Sequence, residues 1–540
     1  MRSPFTVQPL EGRHASSFDA VLASATAGRY PPVPMPRRDV SLQRLAVRIL
    51  FAMALGLSIV FAAELAIDLA RSDVPWSHLG ATSNRGQSLA STVSRAFNNL
   101  TAMVLTFIAL AVPLTANMYT PKLIEIFVRD KVNIAAMLFF AGMGAHAVFG
   151  QAVMYEQWHP AAMYTALWVS GVVGFIVLIP YYFYVLAFLN PVTIIRRVTD
   201  AILHEFDDIA AHRRDAPEAR RRLNQEILNF GNVILRAVDR ADRDVSLDAI
   251  RGLQRAVVRY GEIKPSLDAA WFDAEPALFT GQSRDAIGYV MRDRVWVEQK
   301  CLHQLLLAYS AALTKMPDAL SEISGVNRRV AETAQGRGDE KVVLLCVRYF
   351  NTFLREAVKK RDVHAVYDVY SQYTFLAKGL LDATPDVVLA IARHFLFYAG
   401  LARAQGTAFV HELAACDLCS LVEAAYAAQS ARRADLLAVF LEIEPDGSGA
   451  RIAKAQASLA ACFDARGLAA ERDAVVSSIA RSGLPQIAAA RREIAATVDP
   501  MFWEVTDRQT NLDWLEPKRR EAALAALDDA ARKCGGGGAP

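Results

Sequence analysis

Four long apolar stretches dominate the first third of the chain. They run over residues 46–67, 100–117, 132–154 and 162–189, and no Asp, Glu, Lys or Arg falls inside the last three. An α-helix needs about 20 apolar residues to cross a hydrocarbon core about 30 Å thick. The pattern therefore predicts four membrane-spanning helices, and it excludes a soluble globular fold for this part of the chain.

The charge distribution separates this region from the rest of the chain. Residues 1–190 are about 12% charged, whereas residues 191–540 are about 27% charged, which is an ordinary soluble composition. The net charge of +3 is too small to indicate nucleic-acid binding. We therefore predict a flexible N-terminal tail (1–45), a four-helix transmembrane domain (46–190), a helical cytoplasmic domain (191–533) and a flexible C-terminal tail (534–540).

Basic residues near the ends of the apolar stretches predict the orientation. Six Arg precede residue 46, and Lys122, Arg129 and Lys131 follow the second stretch, whereas residues 155–161 between the third and fourth stretches hold none. By the positive-inside rule, both termini and the large domain are cytoplasmic. The expected location is a bacterial inner (plasma) membrane that the chain crosses several times.

Polar groups within an apolar span are costly, and they are the strongest functional leads. Pro113 removes one backbone hydrogen bond and is expected to kink the second helix. A kinked polar helix suits a pore lining or gate, although the same groups would also hold a bundle together by interhelical hydrogen bonds. The candidates in and beside this stretch are Asn98, Asn99, Thr101, Thr106, Pro113, Thr115 and Asn117.

Three ionisable residues lie in or beside the other stretches. His146 is near the middle of the third stretch among glycines. It is a gating or proton-linked candidate, or else it bonds to a neighbouring helix that the glycines allow to approach closely. Glu64 and Asp68 stand one turn apart at the end of the first stretch. They are pore-mouth candidates that would form a cation-attracting ring in an oligomer, unless they only mark the water interface.

From residue 191 onwards, apolar residues recur at spacings of three and four with almost no alternation of period two. This pattern predicts helices throughout, and no fixed period of 20–50 residues supports a strict repeat family. A stack of helical hairpins, and so a solenoid-like arrangement, is one reading of the pattern. The predicted fold class is all-α: a four-transmembrane-helix domain followed by an all-helical cytoplasmic domain.

The second part of the chain holds no Gly-rich phosphate loop, no His-Glu-x-x-His zinc motif and no nucleophile elbow. Cys416 and Cys419 form a Cys-x-x-Cys pair, but a structural zinc site needs four ligands and only the distant Cys462 would add a third. Small buried thiols on a helix face are the simpler interpretation. We expect no enzyme activity, no bound metal and no cofactor.

The connection after the second stretch resembles a known family. Residues 120–124 read Thr-Pro-Lys-Leu-Ile and residues 127–131 read Phe-Val-Arg-Asp-Lys. They stand where predicted bacterial membrane proteins of the domain-of-unknown-function 2254 type carry a sequence similar to Ser-Pro-Arg-Leu-Leu-x-x-Phe-x-x-Asp-Arg. The Pro-Gly-Ile-Asn-Asp-Pro segment of that family is replaced here by Arg-Ala-Asp-Arg-Asp-Val-Ser at residues 240–246. The resemblance implies a layout of four hydrophobic segments and no established activity.

Two functions fit these observations. The first is a homo-oligomeric, channel-like or pore-forming protein of the lipid bilayer, with a cytoplasmic helical domain that regulates the pore or docks partners. Because four helices leave little room for a pore inside one chain, this function requires symmetric assembly. The second is a membrane-anchored scaffold whose cytoplasmic helices bind a protein partner. No nucleic-acid partner is expected.

Overall fold

The computed structural model describes residues 40–70, 83–120, 122–153, 161–213, 215–279, 283–443, 450–500, 511 and 513–536. No strand occurs in these ranges, which confirms the all-α class. The chain divides into two compact units, one of Met1–Phe107 and Val128–Tyr182 and the other of Ile108–Phe127 and Phe183–Pro540. Of the predicted flexible tails, residues 1–39 and 537–540 lie outside the described ranges.

Each predicted span corresponds to a helix. The helices of the apolar region are α1 (Val40–Ala70), α2 (Ser83–Met118), α3 (Lys122–Arg129), α4 (Lys131–Val153) and α5 (Ala161–Phe188). The four long ones each contain a segment that is long and apolar enough to cross a membrane. The short α3 begins at a polar cap, because the backbone N–H of Lys122 donates to the hydroxyl of Thr120 at 3.3 Å.

Glycines allow the helices of the first unit to pack closely. Phe97 of α2 is buried and lies over Gly144 of α4 and Gly174 of α5. Leu167 of α5 lies over Gly150 of α4 in the same way. A Cβ at Gly174 would lie 2.5 Å from Phe97, and a Cβ at Gly150 would lie 3.0 Å from Leu167. These two glycines therefore set how closely α5 approaches α2 and α4.

The second unit continues as a series of helices joined by short turns. Three short 3₁₀ turns, Lys264–Ser266, Ala269–Phe272 and Pro276–Leu278, interrupt the series after α8. The helices are α6 (Pro191–Ala210), α7 (Ala216–Asp239), α8 (Arg243–Ile263), α9 (Arg284–Arg292), α10 (Trp296–Lys315), α11 (Asp318–Gly336), α12 (Glu340–Lys360), α13 (Val363–Gly379), α14 (Pro385–Ala404), α15 (Ala408–Ala427), α16 (Arg433–Leu441), α17 (Arg451–Ala465), α18 (Ala469–Ala480), α19 (Leu484–Ala496) and α20 (Pro517–Gly536).

Two of these helices start at the same local structure. Asp242 before α8 and Asp362 before α13 accept a hydrogen bond from a backbone N–H three residues on, at 3.4 and 2.9 Å. The residue before each Asp, Ala241 or Arg361, has a left-handed backbone with φ 54°. The aspartate satisfies an amide that the helix itself leaves unpaired, and so it fixes where the helix begins.

One helix of the second unit, α14, is also long and apolar enough to span a membrane. It packs against α12, α13, α15 and α16 within that unit. Arg393 is exposed near its middle, and a charged side chain at that position would be costly in hydrocarbon. We therefore assign α14 to the part of the second unit that consists of α6–α20, called the helical unit below, rather than to the membrane.

Candidate functional site

The described part of α1 buries two residues, and both are acids. Glu64 and Asp68 are each 8% exposed, whereas most of the surrounding side chains are exposed. Leu57 and Phe61 are half-buried. Phe61 precedes Glu64 by three residues, and Leu57 precedes Phe61 by four. These spacings place all four side chains on one helix face, which is the face that packs on the rest of the first unit.

His146 of α4 contacts the first of these acids. Its Nε2 lies 2.9 Å from Oε2 and 3.0 Å from Oε1 of Glu64, and the histidine is 2% exposed. The imidazole stacks on Phe61, with ring centroids 5.4 Å apart and planes 10° from parallel. The pair joins α1 to α4 by a buried hydrogen bond between two ionisable side chains in a medium of low dielectric constant. Nδ1 of His146 is buried without a hydrogen-bond partner.

Asp68 holds the start of α5. Its Oδ1 accepts a hydrogen bond from the backbone N–H of Ala162 at 2.7 Å, and its Oδ2 accepts one from Met163 at 3.4 Å. The first N–H groups of a helix have no partner within the helix, and the helix dipole favours a negative charge there. Asp68 supplies both the acceptor and the charge from a different helix.

Three of the candidates from the sequence, Glu64, Asp68 and His146, thus make contacts between helices. Both acids face α4 and α5, whereas a cation-attracting ring at a pore mouth would need exposed carboxylates. The sequence analysis does not predict that His146 and Glu64 pair with each other. The signal for it was present, because an acid and a base that lie alone in two apolar stretches are expected to pair with each other.

A polar stripe runs along α2 on its exposed side. Its members recur every three or four residues, which keeps them on one face of a helix with 3.6 residues per turn. The buried residues Ala90, Val93 and Phe97 lie on the opposite face. The stripe consists of Ser88, Thr92, Arg95, Asn99, Ala102, Thr106, Ala109, Pro113 and Asn117, and all of them are exposed.

The polar stripe contains four of the sequence candidates, namely Asn99, Thr106, Pro113 and Asn117. The other three differ. Asn98 is exposed but its Oδ1 lies near Gly144 of α4, and Thr101 and Thr115 are half-buried toward the opposite face. The hydroxyls of Thr106 and Thr115 both donate to the backbone carbonyl four residues earlier, at 2.7 and 2.9 Å. These two hydroxyls are thus satisfied within α2.

The end of α2 belongs to the second unit and is bound there to α7 and α8. The guanidinium of Arg236 on α7 donates to the carbonyl oxygens of Ala116 and Asn117, at 3.4 and 3.2 Å. The hydroxyl of Tyr119 donates to Asp242 at 3.1 Å. Lys122 of α3 forms an ion pair with Glu226 of α7. These contacts mechanically link the last turn of α2 to α7 and α8.

Four cysteines of the helical unit are buried and two, Cys416 and Cys534, are half-buried. Burial raises the pKa of Cys416 to about 12, and it raises the pKa of Cys419 further, so both stay protonated and unreactive at neutral pH. They line a cavity of about 190 Å³ in which Arg519 pairs with Glu423 and Lys454 pairs with Asp513. Among the described residues, no group of three or more His, Cys, Asp or Glu is placed to hold a metal ion.

Comparison with known proteins identifies the apolar region. Residues 42–239 match the model of a family described as predicted membrane protein (DUF2254). The match ends at Asp239, the last residue of α7. The resemblance read from residues 120–131 is thereby confirmed over the matched residues. No curated protein and no solved structure matches the chain significantly.

Proposed function

We propose that this membrane protein assembles into a homo-oligomeric, channel-like pore lined by α2. The observation that supports the proposal is the polar stripe, because it presents a charged group, amides and hydroxyls on the exposed side of a helix apolar enough to span a membrane. Amide groups in contact with lipid tails leave their hydrogen-bonding capacity unsatisfied, which is unfavourable. Rings of α2 around a symmetry axis would turn these groups toward water.

A symmetric ring also resolves the shortage of space inside one chain. In the first unit, the side chain of Phe97 on α2 lies directly over Gly144 of α4 and Gly174 of α5, so these three helices are in close contact there. Closed cyclic symmetry brings one copy of the same helix from each subunit to the axis. The apolar residues Leu110 and Leu114, which are exposed beside the stripe, would then pack against neighbouring helices or lipid.

In this proposal the helical unit is cytoplasmic and regulates the pore. Arg236 holds the carbonyls at the end of α2, and Tyr119 and Lys122 connect the following segment to α7 and α8. A displacement of α7 would therefore pull on the last turn of the pore helix, four residues after Pro113. The location that accompanies this proposal is a bacterial inner membrane with both termini in the cytoplasm, as the basic residues beside the spans favour.

A membrane-anchored scaffold is the second candidate. Large aromatic side chains stand exposed on the helical unit: Phe397 is 64% exposed and Phe375 is 55% exposed. Aromatic residues are enriched at protein–protein interfaces. In this function, α7 and the helices after it would bind a cytoplasmic protein and the spans would only anchor them.

Conductance of the purified full-length protein in a planar bilayer tests the proposal, with voltage and membrane tension as stimuli. Mass measurement of the detergent-solubilised particle establishes the number of subunits first. We expect several chains per particle and discrete single-channel openings. A folded particle of one chain, or a folded oligomer that never conducts under either stimulus, would contradict the pore and favour the scaffold.

Two matched threonine variants test whether the polar stripe lines the pore. Thr106→Val and Thr115→Val remove the same hydroxyl, which in each case donates to a carbonyl of α2 itself. Only Thr106 belongs to the stripe. We expect Thr106→Val to change the single-channel conductance and Thr115→Val to leave it unchanged. Equal conductance in both variants would contradict a lining by this face.

A further inference from the structure

We infer that the pore passes small anions in preference to cations, and that Arg95 determines this selectivity. The inference rests on the proposed pore and specifies the class of ion that it conducts. It depends on three observations: the acids described in the spans are buried against α4 and α5, the stripe carries one described charge, and its remaining polar members are neutral.

The acidic groups described in the spans are hydrogen-bonded to other helices. Glu64 and Asp68 are the acids within the long apolar helices that the structure describes there. The carboxylate of Glu64 is bonded to His146, and that of Asp68 accepts the backbone N–H groups that open α5. Both are buried, so they contribute no exposed negative charge to a lumen. Cation-selective pores use rings of exposed Asp or Glu.

The polar stripe, in contrast, carries a positive charge. Arg95 is exposed, and its Nε and Nη2 donate to the backbone oxygen and the hydroxyl of Ser91 at 3.3 and 3.0 Å. Two hydrogen bonds within one turn hold the guanidinium beside the helix rather than leaving it fully mobile. Arg95 stands five residues before the apolar stretch that begins at Leu100, about 7.5 Å along the helix axis. This depth corresponds to a pore mouth.

The other polar members of the stripe supply hydrogen-bond donors without charge. Asn99 has an amide NH₂ group and Ser88 has a hydroxyl, both on the exposed face. The hydroxyl of Thr92 instead donates to the backbone carbonyl of Ser88 at 2.8 Å. Oligomerisation multiplies this arrangement, since each subunit brings one Arg95 to the same depth around the axis. A ring of Arg attracts anions and repels cations, and such rings are found in anion pores.

Reversal potentials in a tenfold KCl gradient test the inference. We expect a chloride-to-potassium permeability ratio above one for the unchanged protein. Arg95→Gln should lower the ratio by about fivefold, the effect of one unit charge near the ion in water, and Arg95→Glu should bring it below one. Arg95→Lys keeps the charge and should keep the selectivity. Lys131→Gln removes an exposed positive charge from α4 instead of α2 and is the matched control.

The salt dependence gives a second readout. The screening length falls from about 10 Å at 0.1 M salt to about 3 Å at 1 M salt, so the anion preference should weaken at the higher concentration. A conducting protein that prefers potassium, or whose ratio is the same in Arg95→Glu as in the unchanged protein, would overturn the inference while the pore itself stands. An equal effect of Lys131→Gln would overturn the role of Arg95. A folded oligomer with no conductance would overturn the pore.

Discussion

His146 Nε2 lies 2.9 Å from a carboxylate oxygen of Glu64, 82 residues earlier in the chain. Both side chains are buried, and Phe61 stacks on the imidazole. Within the first unit, this contact is a polar bond between α1, which is otherwise mostly exposed, and α4. Loss of this hydrogen bond should therefore weaken the packing of α1 on α4.

A double-mutant cycle on this pair should reveal strong coupling. Glu64→Ala or His146→Ala leaves one buried polar group without its partner, and each should cost about 3 kcal/mol of unfolding free energy. The double variant should cost less than the sum of the two, because no unpaired group remains. Thermal unfolding in detergent measures the three values. Additive losses would show that the bond does not couple the two residues.

Gly174→Ala should destabilise the first unit by about 1–3 kcal/mol. A Cβ at this position would lie 2.5 Å from Cζ of Phe97, so the ring or the helix has to move. Gly56→Ala is the matched control, since nothing lies within 4 Å of a Cβ there. Unfolding temperatures of the two variants give the comparison. Equal temperatures would mean that the first unit relaxes without cost around Gly174.

Single cysteines should react with water-soluble thiol reagents according to their face on α2. In a background with Cys534→Ser, we expect Asn99→Cys and Thr106→Cys to be labelled and Leu114→Cys to be protected by lipid or a neighbouring helix. The thiol of Cys419 stays protonated because burial raises its pKa, so it should remain silent. Mass spectrometry after labelling in liposomes measures the pattern. Equal labelling of Leu114→Cys would contradict a water-filled stripe.

Tyr119→Phe should weaken the link between α2 and α8. The variant removes the hydrogen bond to Asp242 and should cost about 1 kcal/mol. Burial first, and the nearby Asp242 second, raise the pKa of Tyr119, so the phenol stays a donor at neutral pH. We expect a shift in the voltage or tension that opens the pore. Tyr164→Phe on α5 is the control, and the same shift there would argue against a specific link.

The helical unit should lose stability below about pH 6.5. Burial lowers the pKa of His394, and burial together with Lys300 lowers that of His303. The unfolded chain therefore binds these protons more tightly, so the stability is complete above the unfolded pKa near 6.5 and is lost as the pH falls through that value. Thermal unfolding at pH 7.5 and 5.5 measures the loss.

Replacing these two residues tests their share of the pH dependence. His303→Gln combined with His394→Asn should reduce the difference between pH 7.5 and 5.5 by at most about 1.4 kcal/mol per pH unit for each histidine. His204→Asn changes a histidine whose side chain is 72% exposed and should leave the difference as it was. An unchanged difference in the double variant would assign the acid sensitivity to other groups.

The order of apolar and polar residues along the chain was sufficient to predict the spans and the all-α class. A helix such as α5 is marked by an uninterrupted apolar run, and this property does not depend on which helices become its neighbours. The three-and-four spacing in the second unit is equally local. The Asp caps before α8 and α13 are also local features, because each aspartate accepts a hydrogen bond from a backbone N–H only three residues away.

The contacts of the candidate site could not be predicted in the same way, because they depend on which helix faces pack against each other. The sequence marks Glu64, Asp68 and His146 as unusual, but it does not show that α1 lies against α4 or that Asp68 reaches the start of α5. Thr106 and Thr115 look alike in the sequence and differ only in the face they occupy. Exposure of one and partial burial of the other follow from the position of Phe97, which packs between α4 and α5.

The cap that Asp68 places on α5 also bears on biosynthesis. The first span leaves the ribosome carrying Glu64 and Asp68, while His146 and Ala162 are still 82 and 94 residues from being translated. An acid at the centre of an inserting helix costs about 3 kcal/mol during transfer from the translocon, and less near its end. Until α4 and α5 arrive, α1 has no partner for either charge. Of the four spans, α1 is therefore the first to be inserted and the last to be secured, and a nascent chain cut short before α4 would hold it poorly.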